Sequence, residues 1–142
     1  MKVGVLKELY PGERRVAATP ETARRLIDKL GFQVMIESGA GNAASFPDVS
    51  YGEAGCQIVD DPSGVWDEAD IVLKVRSPQE GEVSCLREGQ TLVSVLAPGQ
   101  NPDLLEQIAE RKATALSIDA VPRISRAQKL DALSSMANIA GY

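Results

Sequence analysis

With 142 residues, at roughly 150 per domain, the chain has the length of one domain, and 44% apolar residues are enough for one packed core. Fifteen Lys and Arg against 20 Asp and Glu leave a net charge of −5, which argues against a dedicated role on nucleic acid or an anionic membrane surface. The chain contains no histidine, and this removes Ser-His-Asp and Cys-His nucleophile arrangements together with His-ligated zinc.

Along the chain, short Val- and Ile-rich runs alternate with helical patterns. Strands are predicted over 2–6, 33–37, 57–59, 71–75, 91–96 and 114–118. Helices or helical turns are predicted over 20–30, 49–54, 79–86 and 102–112, with Pro20 following Thr19 and Pro102 following Asn101 as helix-start signals. Strand–helix–strand alternation predicts an α/β fold: an open, mostly parallel sheet with helices on both faces, a flavodoxin-like three-layer lobe of one domain, 1–142. A further helix is predicted over 127–142, with Leu130, Leu133, Ala137 and Ala140 on one stripe and Gln128, Asp131, Ser134, Ser135 and Asn138 opposite. An apolar stripe that runs to the last residue suggests a piece of a longer protein, or a surface that self-associates. No run approaches the roughly 20 apolar residues of a membrane span. Cys56 and Cys85 stand far apart with no second thiol nearby, so both read as small buried hydrophobes.

In open parallel sheets ligands gather beyond the carboxyl ends of the strands, near a reversal of strand order. Gly39-Ala40-Gly41-Asn42-Ala43-Ala44 fits G-x-G-x-x-A, with Asp60 and Asp61 about twenty residues on. It follows the second strand rather than the first, and Phe46-Pro47-Asp48 interrupts the helix that should receive a phosphate, so a plain tight turn is the better expectation. Arg14 and Arg15 precede a helix N-terminus, where cations oppose the macrodipole. That placement suggests a bound anion, which Lys74 would meet from across the sheet; the competing reading has Arg14 and Lys74 solvated or paired with Glu8 and Glu13. Ser125 and Gln128 fit a capping box, yet Gln128, Asp131 and Ser134 also follow at one-turn steps, an amide–carboxylate–hydroxyl face suited to a carboxamide and sugar hydroxyls.

Met1-Lys2-Val3-Gly4-Val5-Leu6-Lys7-Glu8, Arg15-Val16-Ala17-Ala18-Thr19-Pro20, Glu37-Ser38-Gly39-Ala40-Gly41, Ile71-Val72-Leu73-Lys74-Val75 and Val121-Pro122-Arg123-Ile124-Ser125-Arg126-Ala127-Gln128, followed by Leu130-Asp131-Ala132-Leu133-Ser134-Ser135, resemble the start of proton-translocating NAD(P) transhydrogenase alpha subunits. The first four stretches are shared with alanine dehydrogenases; the last run is the transhydrogenase signal. The resemblance implies the first lobe of an NAD(H)-binding component, with its final helix, 126–142, leading to a Rossmann lobe that carries the glycine fingerprint. It implies hydride transfer between NADH and NADP⁺ coupled to proton translocation, with NADP(H) on a partner component, a membrane part formed by other segments or subunits, a homodimer, and a place on the cytoplasmic face of the inner membrane. By the same resemblance Arg123, Gln128 and Asp131 serve the reaction, Arg123, Gln128, Asp131 and Ser134 face the nicotinamide end of NAD(H), and Arg15 and Lys74 belong to the binding site. No metal is implied, and the lobe by itself is expected to be inactive.

An alanine dehydrogenase is the alternative, because Arg15 and Lys74 match positions that hold a 2-oxo acid there. That family carries a histidine for proton transfer in the segment corresponding to Val95-Leu96-Ala97-Pro98, and this chain has none. A non-enzymatic binding module that uses the last helix is a further alternative.

Overall fold

The computed structural model describes residues 1–122 and 124–141, and only the backbone of Gln128, Leu133 and Ser134. Six strands, β1 (Lys2–Val5), β2 (Gln33–Glu37), β3 (Gln57–Val59), β4 (Ile71–Leu73), β5 (Thr91–Ser94) and β6 (Thr114–Ser117), form one sheet in the order β3-β2-β1-β4-β5-β6. Every neighbouring pair is parallel, so the expected mostly parallel sheet is parallel throughout. Relative to a flavodoxin-like 2-1-3-4-5 order, one more strand stands beyond β2, and the order reverses between β1 and β4.

Helices cover both faces because the strands alternate. Val3, Val5, Val34 and Ile36 pack with Ala23 of α1 (Pro20–Leu30) and Tyr51 of α2 (Asp48–Glu53). On the other face Val72 and Leu92 pack with Val65 and Trp66 of α3 (Pro62–Glu68), Val83 of α4 (Glu80–Val83) and Ile108 of α5 (Pro102–Glu110). The α1 boundaries follow directly from local chemistry. Thr19 accepts the Thr22 amide at 3.2 Å, Pro20 needs no amide partner, and Gly31 closes the helix at φ 68°.

Three expectations are corrected. Helix α3 was not predicted, although Asp61-Pro62 is the same start signal as Thr19-Pro20; the helix is only seven residues long and contains Gly64. The single helix expected over 127–142 is a 3-10 helix, Ser125–Leu130, followed after Asp131 by α6 (Ala132–Gly141). Ser125 is therefore inside a 3-10 helix rather than capping an α-helix, and positions 128, 131 and 134 do not share one continuous helix, since Asp131 lies between the 3-10 helix and α6. Tyr142 lies outside the described residues. Cys85 is exposed and Cys56 half-buried: Glu82, Val83 and Leu86 occupy the core side of the α4 segment, which turns Cys85 outward. Burial pushes the Cys56 thiol up to about 11.

Gly4 sits under α3, where an added Cβ would lie 2.5 Å from Val65 Cγ1 and 2.9 Å from the Ala69 Cβ. Gly4→Ala is expected to lower stability by about 1–3 kcal/mol through overpacking, as measured by urea unfolding. Unchanged stability would mean that α3 can ride farther from the sheet.

Candidate functional site

The reversal of strand order between β1 and β4 puts the segments after β1, β4, β5 and β6 around one crevice. Glu8 follows β1, and its carboxylate accepts the backbone N–H of Val75 at 2.5 Å and of Arg76 at 3.2 Å, both beyond β4. Lys74 is 2% exposed, with Nζ 3.1 Å from Glu82 Oε1 and 3.5 Å from Glu8 Oε2. The other Glu82 oxygen accepts the Gln79 N–H at 2.8 Å, closing the start of α4. Lys74 is thus paired as one of the sequence readings has it, but with Glu82 as a further partner.

At the rim Glu13 collects two guanidiniums. Arg15 Nε and Nη2 donate to its two oxygens at 2.8 and 2.7 Å, the Arg15 amide donates at 2.9 Å, and Arg76 Nε donates at 2.7 Å. Arg76 also lies 4.5 Å over the Tyr10 ring. The Arg15 guanidinium, aided by Arg76 and opposed by burial, holds the Glu13 carboxyl far below the usual carboxylate range. Arg14 is exposed beside this cluster.

Beyond β5 the chain is held by Asp119. Its carboxylate accepts the N–H of Leu96 at 3.1 Å and of Ala97 at 2.9 Å, and the Ser117 hydroxyl donates to the same group. Ser77 and Ser94 tie the β4 and β5 ends together, donating to Val95 O at 2.7 Å and Arg76 O at 3.0 Å.

A cavity of about 330 Å³ opens among these segments, lined by Arg15, Val75, Arg76, Val95, Ile118, Asp119, Val121, Asp131, Ala132 and Met136. Lys74 lines an overlapping cavity that also includes Arg15, Ala132 and Met136. Arg15, Lys74 and Asp131 are therefore brought to one region. Arg123 lies outside the described residues, as do the side chains of Gln128 and Ser134. Sequence reading did not assign Arg76, Asp119 or Glu82 to the site; a polar residue one to three positions beyond a strand end was the available signal for the first two. The glycine-rich turn proves to be a tight turn. Gly39 has φ 80°, its N–H and the Ser38 hydroxyl are taken by Asp48 at 2.9 and 2.6 Å, and a Cβ on Gly41 would meet Phe46 O and Tyr51 Cε2, each at 2.6 Å.

The depressed Glu13 carboxyl has a definite sign for stability. A folded value below the ordinary 4.5 means that the stabilisation is fully present above 4.5 and is lost as pH falls toward the folded value. Glu13→Gln is expected to cost on the order of 1 kcal/mol near neutral pH. In urea unfolding the gap to the unsubstituted chain should close progressively below 4.5. A gap independent of pH would mean that Glu13 acts by shape alone.

A family model described as alanine dehydrogenase/PNT, N-terminal domain, matches residues 4–140. The NAD(P) transhydrogenase subunit alpha of Cereibacter sphaeroides is 52% identical over all 142 residues, which span 27% of that relative. Alanine dehydrogenase 2 of Staphylococcus aureus is 34% identical over 99% of this chain and 37% of its own length. A solved transhydrogenase from Sinorhizobium meliloti superposes with a TM-score of 0.93 at 37% identity, covering 100% of this chain and 42% of that one. An L-alanine dehydrogenase structure gives 0.83 at 32% identity, covering 89% of this chain and 34% of the other. A sheet order, a switch-point crevice and a whole-chain match that agree in this way have one meaning: the chain belongs to the alanine dehydrogenase/PNT N-terminal domain family.

Proposed function

We propose that this chain acts as the N-terminal lobe of a proton-translocating NAD(P) transhydrogenase alpha subunit, holding the nicotinamide end of NAD(H) in the switch-point cavity. The observation that carries the reading is the cavity itself. It joins Arg15 and Asp131 to apolar walls of Val75, Val95, Ile118 and Met136, in a chain without histidine. At about 330 Å³ it has the size and the mix of apolar surface with a few polar groups that a planar ring and its carboxamide need.

The nicotinamide supplies the hydride chemistry when bound. In the proposed site Arg123, Gln128, Asp131 and Ser134 orient the ring, its carboxamide and the adjoining ribose, while Arg15 and Lys74 shape the β1–β4 side. Valine, isoleucine and methionine side chains exclude water from the transfer path. A second nucleotide, NADP(H), is presented by a partner component, and a dinucleotide-binding domain elsewhere in the subunit holds the rest of NAD(H). The subunit works as a homodimer with a membrane part, on the cytoplasmic face of the inner membrane, and this lobe alone does not turn over. No helix among the described residues is long and apolar enough to cross a membrane.

An alanine dehydrogenase lobe is the second reading, favoured by the placement of Arg15 and Lys74 around adjoining cavities. It lacks an imidazole for proton transfer to an imine or carbonyl, whereas exchange of a hydride between nucleotides needs no such donor.

In the full-length alpha subunit, Gln128→Asn shortens the amide by one methylene and misplaces the ring. Hydride exchange between NADH and an NADP⁺ analogue should fall about ten-fold or more, with NADH affinity nearly unchanged. Unaltered turnover would remove Gln128 from the proposed site.

A further inference from the structure

The wall of the cavity contributed by β5 and β6 has a construction that ring orientation does not explain. Beyond β5 the backbone reaches φ 46° at Ala97, a left-handed conformation that a residue with a Cβ adopts only when its surroundings hold it there. Asp119 holds it, with Oδ1 accepting from Leu96 N at 3.1 Å and Oδ2 from Ala97 N at 2.9 Å. These donors and the Ser117 hydroxyl are all neutral. They fix the carboxylate in place and leave its charge uncancelled.

Glu8, Glu13 and Glu82 are held differently. Glu8 and Glu82 share Lys74, and Glu13 takes both Arg15 and Arg76. Among the described residues no lysine or arginine forms an ion pair with Asp119. Burial pushes the Asp119 carboxyl up, but its hydrogen bonds outweigh burial and keep it below the usual range, hence ionised at neutral pH. The cavity is consequently polarised. Arg15 and Arg76 line it from the β1 and β4 side, and Asp119 from the side of β6.

We infer that Asp119 is a specificity-determining residue: a negatively charged wall, pinned by the Leu96 and Ala97 amides, that favours the positively charged, oxidised nicotinamide ring over the neutral reduced ring. This rests on the proposed nucleotide function. The two redox forms have nearly the same shape, so apolar walls of Val95 and Ile118 select weakly between them, and a fixed charge is what can discriminate.

The test compares dissociation constants for NAD⁺ and NADH, by equilibrium dialysis, in the full-length alpha subunit. Asp119→Asn should weaken NAD⁺ relative to NADH by about five-fold, whereas Asp119→Glu should keep most of the preference. Ala97→Gly, which eases the left-handed backbone and leaves the carboxylate in place, should not move the ratio. In the unsubstituted subunit rising ionic strength should likewise weaken NAD⁺ relative to NADH, a readout that does not depend on any variant folding. Asp119→Asn affecting both nucleotides equally, or Ala97→Gly shifting the ratio as far, would assign Asp119 to loop support and overturn the inference. A ratio indifferent to both Asp119→Asn and salt would overturn it as well. Failure of the unsubstituted subunit to bind either nucleotide would instead overturn the nucleotide function on which the inference rests.

Discussion

Lys74 leaves β4 where the strand order reverses, its side chain 1% exposed, between carboxylates contributed by the segment after β1 and by α4. A buried ammonium persists only when paired and fully hydrogen-bonded, and removing one partner of such a pair costs about 3–5 kcal/mol. Here each carboxylate is itself anchored, Glu8 by the Val75 and Arg76 amides and Glu82 by the Gln79 amide. The network therefore sets three things together: the spacing of the β1 and β4 ends, the seat of α4, and the direction in which Arg76 leaves the sheet. A crevice at a switch point has no helix spanning it. Charge pairs do there what apolar packing does elsewhere in the sheet.

From this anchor the rest of the site follows by short steps. Holding the Arg76 backbone lets its guanidinium reach Glu13, which the Arg15 fork also grips, so that two cations from different segments share one nearly buried acceptor. Ser94 and Ser77 carry the alignment across to β5, and Asp119 carries it from β6 back to the loop after β5. Four strand ends are thereby fixed relative to one another by polar side chains.

The parts of this arrangement legible in the sequence were those governed by local chemistry. β2, β3 and α1 fall on their predicted boundaries because Val and Ile patterning, Thr19-Pro20 and Gly31 act over a few residues. β4 ends two residues early for a non-local reason: Glu8, more than sixty positions away, takes the Val75 amide. The terminal helix was misjudged because an apolar repeat fits a continuous α-helix as well as a 3-10 turn joined to one. Residues 135–140 of α6 are all exposed, so packing in the described structure does not enforce the repeat. In the site, Arg15, Lys74 and Asp131 were legible from their positions and from resemblance. Glu82 and Arg76 were not, since their importance lies in partners that only the topology brings near.

What the cavity offers chemically is charge and shape rather than protons. Asp119 is acceptor-only while ionised, with both oxygens engaged by amides. Lys74 directs its ammonium to Glu8 and Glu82. Imidazole is absent from the whole chain. A reduction that must deliver a proton to nitrogen or oxygen along with the hydride would find no poised donor among the described groups. Hydride exchange between two nicotinamide rings asks only that the rings be oriented, desolvated and set in a suitable field. Solved structures named as a transhydrogenase and as an L-alanine dehydrogenase both superpose on this sheet, so the fold by itself does not choose between the two kinds of chemistry. In this chain the loop beyond β5 carries Val95 and a strained Ala97 against an anionic brace. Those features are the ones on which the proposed discrimination between ring charges rests.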